Sequence, residues 1–116
     1  MARTEFLVIQ RSFDFSCWLL RHTQKFPKSL RFSLAVRIED RALTVLEAAV
    51  SANRRRDKLA LLDRADAALE TLRVLVRLSH ELKVLATNSY EYAAREIDEI
   101  GRLLGGWIRQ QTRLPG

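Results

Sequence analysis

Apolar residues recur three and four positions apart along most of the chain, with polar residues between them. Near the N-terminus the pattern is carried by Phe6, Ile9, Phe13, Cys17 and Leu20. An α-helix has about 3.6 residues per turn, so this spacing places all of these side chains on one face. The pattern predicts a first amphipathic helix over residues 4–25, with Cys17 as a buried thiol.

The same spacing predicts a second and a third helix. Pro27 disfavours helix at the residue before it, and Ser29 is suited to cap a helix over residues 30–52. The polar segment 51–57 predicts a turn, after which a third helix runs to about Leu85. The apolar positions of this third helix are Leu62, Ala65, Leu69, Leu72 and Val76.

A fourth helix follows the segment 86–92, in which Asn88 or Ser89 is suited to act as the N-cap. Its apolar face carries Ile97, Ile100, Gly101, Leu104 and Ile108. Four helices of about 20–30 residues joined by short loops pack most simply as an antiparallel, up-down-up-down four-helix bundle. The predicted fold class is therefore all-α, with residues 1–116 forming a single domain.

The fourth helix contains more glycine than an amphipathic helix usually does. Each glycine within a helix costs roughly 1 kcal/mol relative to alanine, yet three occur within residues 101–106. Gly101 and Gly105 are four residues apart, and a stripe of small residues lets another backbone approach closely. Leu103 and Trp107 form a second apolar pair, rotated from the core face. One monomeric bundle buries only one face of this helix, so these four residues are predicted to form a homo-oligomer contact. This interpretation requires the helix to continue to at least Arg109. The alternative is that Gly105–Gly106 ends the helix as a C-cap.

Composition adds a strong positive charge to this picture. The chain has 20 Lys and Arg residues against 14 Asp and Glu, a formal net charge of +6 and a pI of about 10.2. Such a charge favours an acidic partner, with nucleic acid first, a protein surface second and an anionic membrane third. Like-charged arginines stand one helical turn apart, which is tolerated more readily when an anion is bound: Arg37 with Arg41, and Arg73 with Arg77. Asp40 and Glu70 lie three residues from an arginine, so ordinary solvated ion pairs are the alternative.

Few residues are arranged for catalysis, metal binding or membrane insertion. His22 and His80 have no partner at metal-ligand spacing, and adjacent carboxylates point in different directions around a helix. No Gly-rich loop has the residues of a phosphate-binding motif, and charges interrupt every apolar run near the N-terminus. A single cysteine suits a reducing compartment. We therefore expect a cytoplasmic protein that is not an enzyme, has no cofactor or metal ion and does not enter a membrane.

Three segments carry a resemblance to a known family. They read CWLLRHTQKFPKSLRFSLAVRIED (17–40), LETLRVLVRLSHEL (69–82) and IDEIGRLLGGWIRQ (97–110). Their most specific motifs are K-F-P-K-S-x-R-F-x-L, L-R-x-x-x-R and I-G-R-x-L-G-x-W-I. These segments resemble the Avd family, the accessory variability proteins of diversity-generating retroelements, within a wider set of bacterial four-helix-bundle proteins. A sister group encoded in intervening sequences of 23S ribosomal RNA genes shares the bundle.

The resemblance implies a four-helix protomer in a positively charged homopentamer. Avd proteins bind RNA and DNA with little sequence preference and bind the reverse transcriptase of the same element, which makes mutagenised cDNA for retrohoming. They are not enzymes. The family's basic positions fall on Lys28, Arg31, Arg73 and Arg77; Arg37 and Arg41 extend the predicted nucleic-acid and reverse-transcriptase surface. The alternatives are a bundle of the intervening-sequence type and a bundle with an unrelated RNA or protein partner.

Overall fold

Helices account for nearly all of the computed structural model, which describes residues 3–113. The three longest α-helices are α1 (Arg3–Thr23), α4 (Leu59–Glu81) and α5 (Thr87–Thr112). Between α1 and α4 lies a further helical segment, which consists of α2 (Lys28–Leu30), a π-helical turn (Arg31–Ala35) and α3 (Val36–Asn53). No β-strand occurs in the part of the chain that the structure describes.

These four helical segments pack as an antiparallel bundle. Both α1 and α4 pack against α3 and α5, so each helix has two neighbours around the bundle axis. Contacts between α1 and α5 run in opposite chain directions: Arg11 pairs with Glu96, whereas Trp18, further along α1, contacts Tyr92, which lies earlier on α5. The all-α, up-down-up-down four-helix bundle that the sequence predicts is confirmed.

One apolar core runs along the axis of the bundle. On α4 it contains all the positions predicted from the sequence, namely Leu62, Ala65, Leu69, Leu72 and Val76. Burial of a leucine side chain contributes roughly 1.5–3 kcal/mol, so this stripe is a large part of what holds α4 in place. Opposite it, α3 and α5 contribute Ile38, Val45, Ile97, Ile100 and Leu104.

The face of α1 that meets the core is rotated from the predicted one. Its buried residues are Val8, Ser12, Phe15, Ser16, Leu19 and Thr23. By contrast Phe6 and Phe13 are 61% and 53% exposed. Cys17 is also exposed, so the prediction of a buried thiol is wrong. Two stripes at helical spacing run along α1, and the core uses the one that small serines interrupt.

The predicted N-caps are wrong as well. Pro27 precedes α2 and Ala86 precedes α5, and neither makes a side-chain capping bond. Both residues have extended ψ angles, 147° and 155°, from which the chain turns into the helix. Ser29, Asn88 and Ser89 lie inside the helices that they were predicted to cap.

α5 passes through its three glycines without a break and ends at Thr112, so the predicted continuation to at least Arg109 is confirmed. No described glycine has a positive φ angle, which rules out the C-cap alternative for Gly105–Gly106. Trp107 is fully buried and Leu103 is only 8% exposed. The reason for placing these two side chains in an oligomer contact is therefore wrong, because the protomer itself buries them.

The glycines of α5 leave space that a methyl group would fill. A Cβ atom at Gly101 would lie 3.5 Å from Leu69 Cδ2 on α4, and one at Gly105 would lie 3.4 Å from Arg109 Nη1. Both values are ordinary van der Waals distances, so packing within the protomer does not require glycine at either position. Gly101 and Gly105 are both partly exposed, and their place in an oligomer contact stays a prediction.

None of the helices described between residues 3 and 113 combines the length and the apolar composition needed to cross a membrane.

Candidate nucleic-acid interface

Two surface grooves flank α4, and the predicted arginine pairs are divided between them. The α3–α4 groove has a volume of about 620 Å³ and is lined by Phe32, Ser33, Val36, Arg37, Asp40, Arg41, Thr71 and Leu75. The α4–α5 groove has a volume of about 260 Å³ and is lined by Arg73, Val74, Val76, Arg77, Tyr90, Ala94 and Ile97. Only the width of α4, about 10 Å with side chains, separates the two grooves.

Helical spacing brings Arg37 and Arg41 together in the α3–α4 groove, because residues four apart lie on one face. Their states differ. Arg41 Nη2 lies 2.5 Å from Asp40 Oδ2, so its charge is largely compensated. Arg37 is exposed, and no acidic group among the described residues pairs with it. Arg37 is therefore the residue of this pair that is available to an anion.

The same contrast occurs in the α4–α5 groove. Arg73 Nε donates to Glu70 Oε2 at 3.3 Å, and its Nη1 donates to Asp98 Oδ1 across the groove. The Asp98 hydrogen bond, with a further contribution from Glu70, raises the pKa of the Arg73 guanidinium above its usual value. Arg77 is exposed and has no acidic partner among the described residues. A phosphate at Arg73 would compete with two carboxylates, whereas at Arg77 it would not.

Lys28 is the first residue of α2, and Arg31 is the first residue of the π-helical turn. Both are exposed, and Arg31 Nε donates to the carbonyl oxygen of Phe26 at 3.3 Å. Phe26 is buried in the core, so this bond ties the arginine to a fixed point. Arg31 lines a third cleft of about 200 Å³ that adjoins the α3–α4 groove. Lys28 and Arg31 are thus near Arg37 and separated from Arg73 and Arg77 by α4.

A further basic cluster lies at the opposite end of the bundle. Arg54, Arg55 and Arg56 occupy the α3–α4 turn, where Lys58 Nζ donates to the carbonyl oxygens of Ala52 at 2.7 Å and Arg55 at 2.5 Å. The antiparallel topology brings this turn to the same end as the start of α1 and the end of α5, which carry Arg3, Arg109 and Arg113. We call these six arginines the basic end. In the sequence, only the run of three arginines at 54–56 indicated the basic end.

Neither histidine lies in a cluster of potential metal ligands. His22 stacks on Trp18 with ring centroids 3.9 Å apart, and His80 stacks on Tyr90 at 4.6 Å. Within residues 3–113, no three His, Cys, Asp or Glu side chains are grouped closely enough to hold a metal ion.

The sequence of the chain matches a known family. The model for bAvd-like proteins matches residues 6–111, which includes most of every long helix. The chain belongs to the bAvd-like family. The resemblance to Avd proteins carried by residues 17–40, 69–82 and 97–110 is thereby confirmed. No curated protein matches the chain.

A solved structure shows the same architecture as this bAvd-like chain. It is the crystal structure of a protein with unknown function from the S23 ribosomal protein family of Bacteroides thetaiotaomicron VPI-5482. The TM-score is 0.83 at 14% sequence identity, and the match covers 91% of this chain and 98% of the other. At that identity the similarity shows a common fold and no more.

The pairing of Arg73 leads to a prediction about its neighbour. We expect Asp98→Asn to tighten binding of a nucleic acid by up to about fivefold at low salt, because an exposed ion pair is worth about 0–1 kcal/mol and its loss releases Arg73. Fluorescence anisotropy measures this affinity. The matched control is Asp66→Asn, which removes the same charge from an exposed carboxylate of α4. Equal effects of the two substitutions would contradict a specific role for the Asp98–Arg73 pair.

Proposed function

We propose that this bAvd-like protein is a non-enzymatic accessory protein of a diversity-generating retroelement. In this role it holds template RNA and cDNA on its basic surface and associates with the reverse transcriptase of the element. The observation that carries the proposal is that each groove beside α4 contains an arginine, Arg37 or Arg77, that pairs with no acidic group of residues 3–113, on a chain with a net charge of +6. Family membership supports the Avd-type role in general.

Phosphate contacts account for the binding that we propose. An arginine donates in a fixed fork that matches phosphate oxygens, and such contacts position a strand without reading its sequence. Affinity then comes mainly from release of counterions and falls steeply with salt. The protein therefore holds nucleic acid of any sequence near the polymerase, which supplies the chemistry.

The salt dependence of binding tests the first half of this proposal. Each unpaired arginine that contacts a phosphate contributes about 0.7–0.9 to the slope of log K against log salt concentration. We expect Arg37→Gln and Arg77→Gln each to flatten the slope by roughly that amount. Arg102→Gln is the matched control, because Arg102 already donates to both carboxylate oxygens of Glu99, at 2.9 and 2.6 Å. If the slope is unchanged in the Arg37 and Arg77 variants, these arginines do not contact phosphates and belong to an ordinary solvated surface.

Co-purification tests the second half. We expect the protein to bind a reverse transcriptase encoded beside its gene, through electrostatic contacts that involve Lys28, Arg31 and neighbouring basic residues. Charge reversal by Lys28→Glu with Arg31→Glu should slow association and increase its sensitivity to salt. The control is Arg54→Glu with Arg55→Glu, the same change of charge at the opposite end of the bundle. If the wild-type protein does not bind the polymerase at low salt, the proposed Avd-type role is contradicted, and bundles of the intervening-sequence type become the better guide to its function.

We also propose that the protein is a homo-oligomer, a pentamer as the resemblance implies, with Gly101 and Gly105 in the contact. Gly105→Leu should weaken self-association in sedimentation equilibrium while leaving the protomer folded, because only the Arg109 side chain is near the added Cβ. Gly106→Leu is the matched control, since it adds the same side chain to the same helix about 100° around its axis. A wild-type monomer at tens of micromolar, or equal effects of both substitutions, would contradict the proposal.

A further inference from the structure

Phe32 is the most exposed large apolar side chain among residues 3–113, with 86% of its surface accessible to solvent. It lies in the π-helical turn between α2 and α3, at a position where the neighbouring Leu34 and Ala35 are buried. π-helical turns within α-helices are rare and are frequently found at functional sites. The ring is thus presented to solvent by a local departure from regular helix.

Each of the two clefts beside Phe32 contains an arginine. Phe32 and Val36 line the α3–α4 groove, which contains Arg37, and also line the adjoining cleft, which contains Arg31. The ring therefore stands on a ridge between two arginines. Leu75 of α4 adds a second apolar wall to the α3–α4 groove.

The acidic residues beside this ridge are already engaged. Glu39 Oε2 accepts a hydrogen bond of 2.5 Å from Thr23 Oγ1, and Asp40 pairs with Arg41. Neither carboxylate is paired with Arg31 or Arg37 in the described structure. Glu39 keeps its negative charge in this bond, so the two clefts together contain three arginines against the two carboxylates, and the ridge combines an exposed aromatic face with a small excess of positive charge.

We propose that this ridge binds an unpaired base of single-stranded nucleic acid. In this site the base stacks on the ring of Phe32. The side chains of Val36 and Leu75 provide apolar contact in the groove, and Arg31 and Arg37 contact the phosphates on either side. Proteins that bind single strands combine an aromatic stacking surface with a positively charged groove, and a base presents its face only when it is not stacked in a duplex. This inference rests on the proposed nucleic-acid function and adds to it a preference for single strands.

The charge decides between nucleic acid and a protein partner for this surface. Protein interfaces are enriched in phenylalanine and arginine too, so the choice rests on the net charge of +6, which favours an anionic partner. Here Arg31 and Arg37 flank the ring directly, and Lys28 lies one turn before Arg31. An anionic chain with flat apolar groups fits this pattern, and a second copy of this basic chain does not.

Fluorescence anisotropy with three probes tests the inference: a single-stranded RNA, the same strand with its bases removed, and the corresponding duplex. We expect Phe32→Leu to lose roughly five- to a hundredfold in affinity for the intact single strand, the range measured for loss of base–aromatic stacking. Affinity for the strand without bases and for the duplex should change less than twofold. Phe32→Tyr keeps the aromatic face and should bind as the wild type does. Phe13→Leu, at an exposed phenylalanine of α1, is the matched control.

Three outcomes overturn the inference. The first is equal affinity of Phe32→Leu and Phe13→Leu for the intact strand. The second is an equal loss with the strand that lacks bases. The third is a change in oligomeric state on Phe32→Leu, which would place Phe32 in a contact between copies. If the wild-type protein binds none of the probes at low salt, the proposed function fails as well. If it binds them with a steep salt dependence and Phe32→Leu binds equally well, only the stacking site fails.

Discussion

The buried stripe of α4 is the contact on which the rest of this structure depends. Its leucines, from Leu62 to Leu72, pack against α3 and α5 and fix the rotation of α4 about its own axis. Because a helix advances about 100° per residue, that rotation also fixes where every other α4 side chain points. Thr71 and Leu75 then line the groove on one side, and Arg73 and Arg77 line the groove on the other. The same apolar residues that stabilise the bundle thus determine the geometry of its charged surface.

The elements could be predicted where a helix carries one apolar stripe and could not where it carries two. On α4 only one set of positions is strongly apolar, so the core residues could be read from their spacing. On α1 the stripe of Phe6, Phe13 and Cys17 is more apolar than the stripe of Ser12, Phe15 and Ser16 that the core uses. Serines are small enough to let neighbouring helices approach, and this advantage of shape is invisible to a pattern of hydrophobicity. Trp107 is a similar case, because its burial depends on the space that α5 meets within the bundle.

The candidate site was predictable to the same extent, through local spacing and no further. Arginines four residues apart share a groove because helix geometry alone decides it. Whether an arginine is available to an anion depends on partners from other helices. Arg73 is paired with Asp98 of α5, whereas Arg77, in the same groove and with the same local pattern, is not paired among the described residues. The basic end likewise gathers Arg3, Arg54 and Arg109 from three remote parts of the chain, which only the antiparallel topology brings together.

Packing within the protomer does not explain the glycines of α5 in this bAvd-like protein. Each costs the helix roughly 1 kcal/mol relative to alanine, and a methyl group at Gly101 or Gly105 would meet its neighbours at ordinary contact distances. The isolated protomer therefore gains nothing from them. Departures from the most stable choice of residue are expected where a surface serves something other than folding. A Cβ atom at Gly101 would lie 4.0 Å from Arg73 Nη2, whereas Gly105 and Gly106 have only the Arg109 side chain nearby. The proposed oligomer contact at Gly101 and Gly105 accounts for a cost that packing within the protomer leaves unexplained.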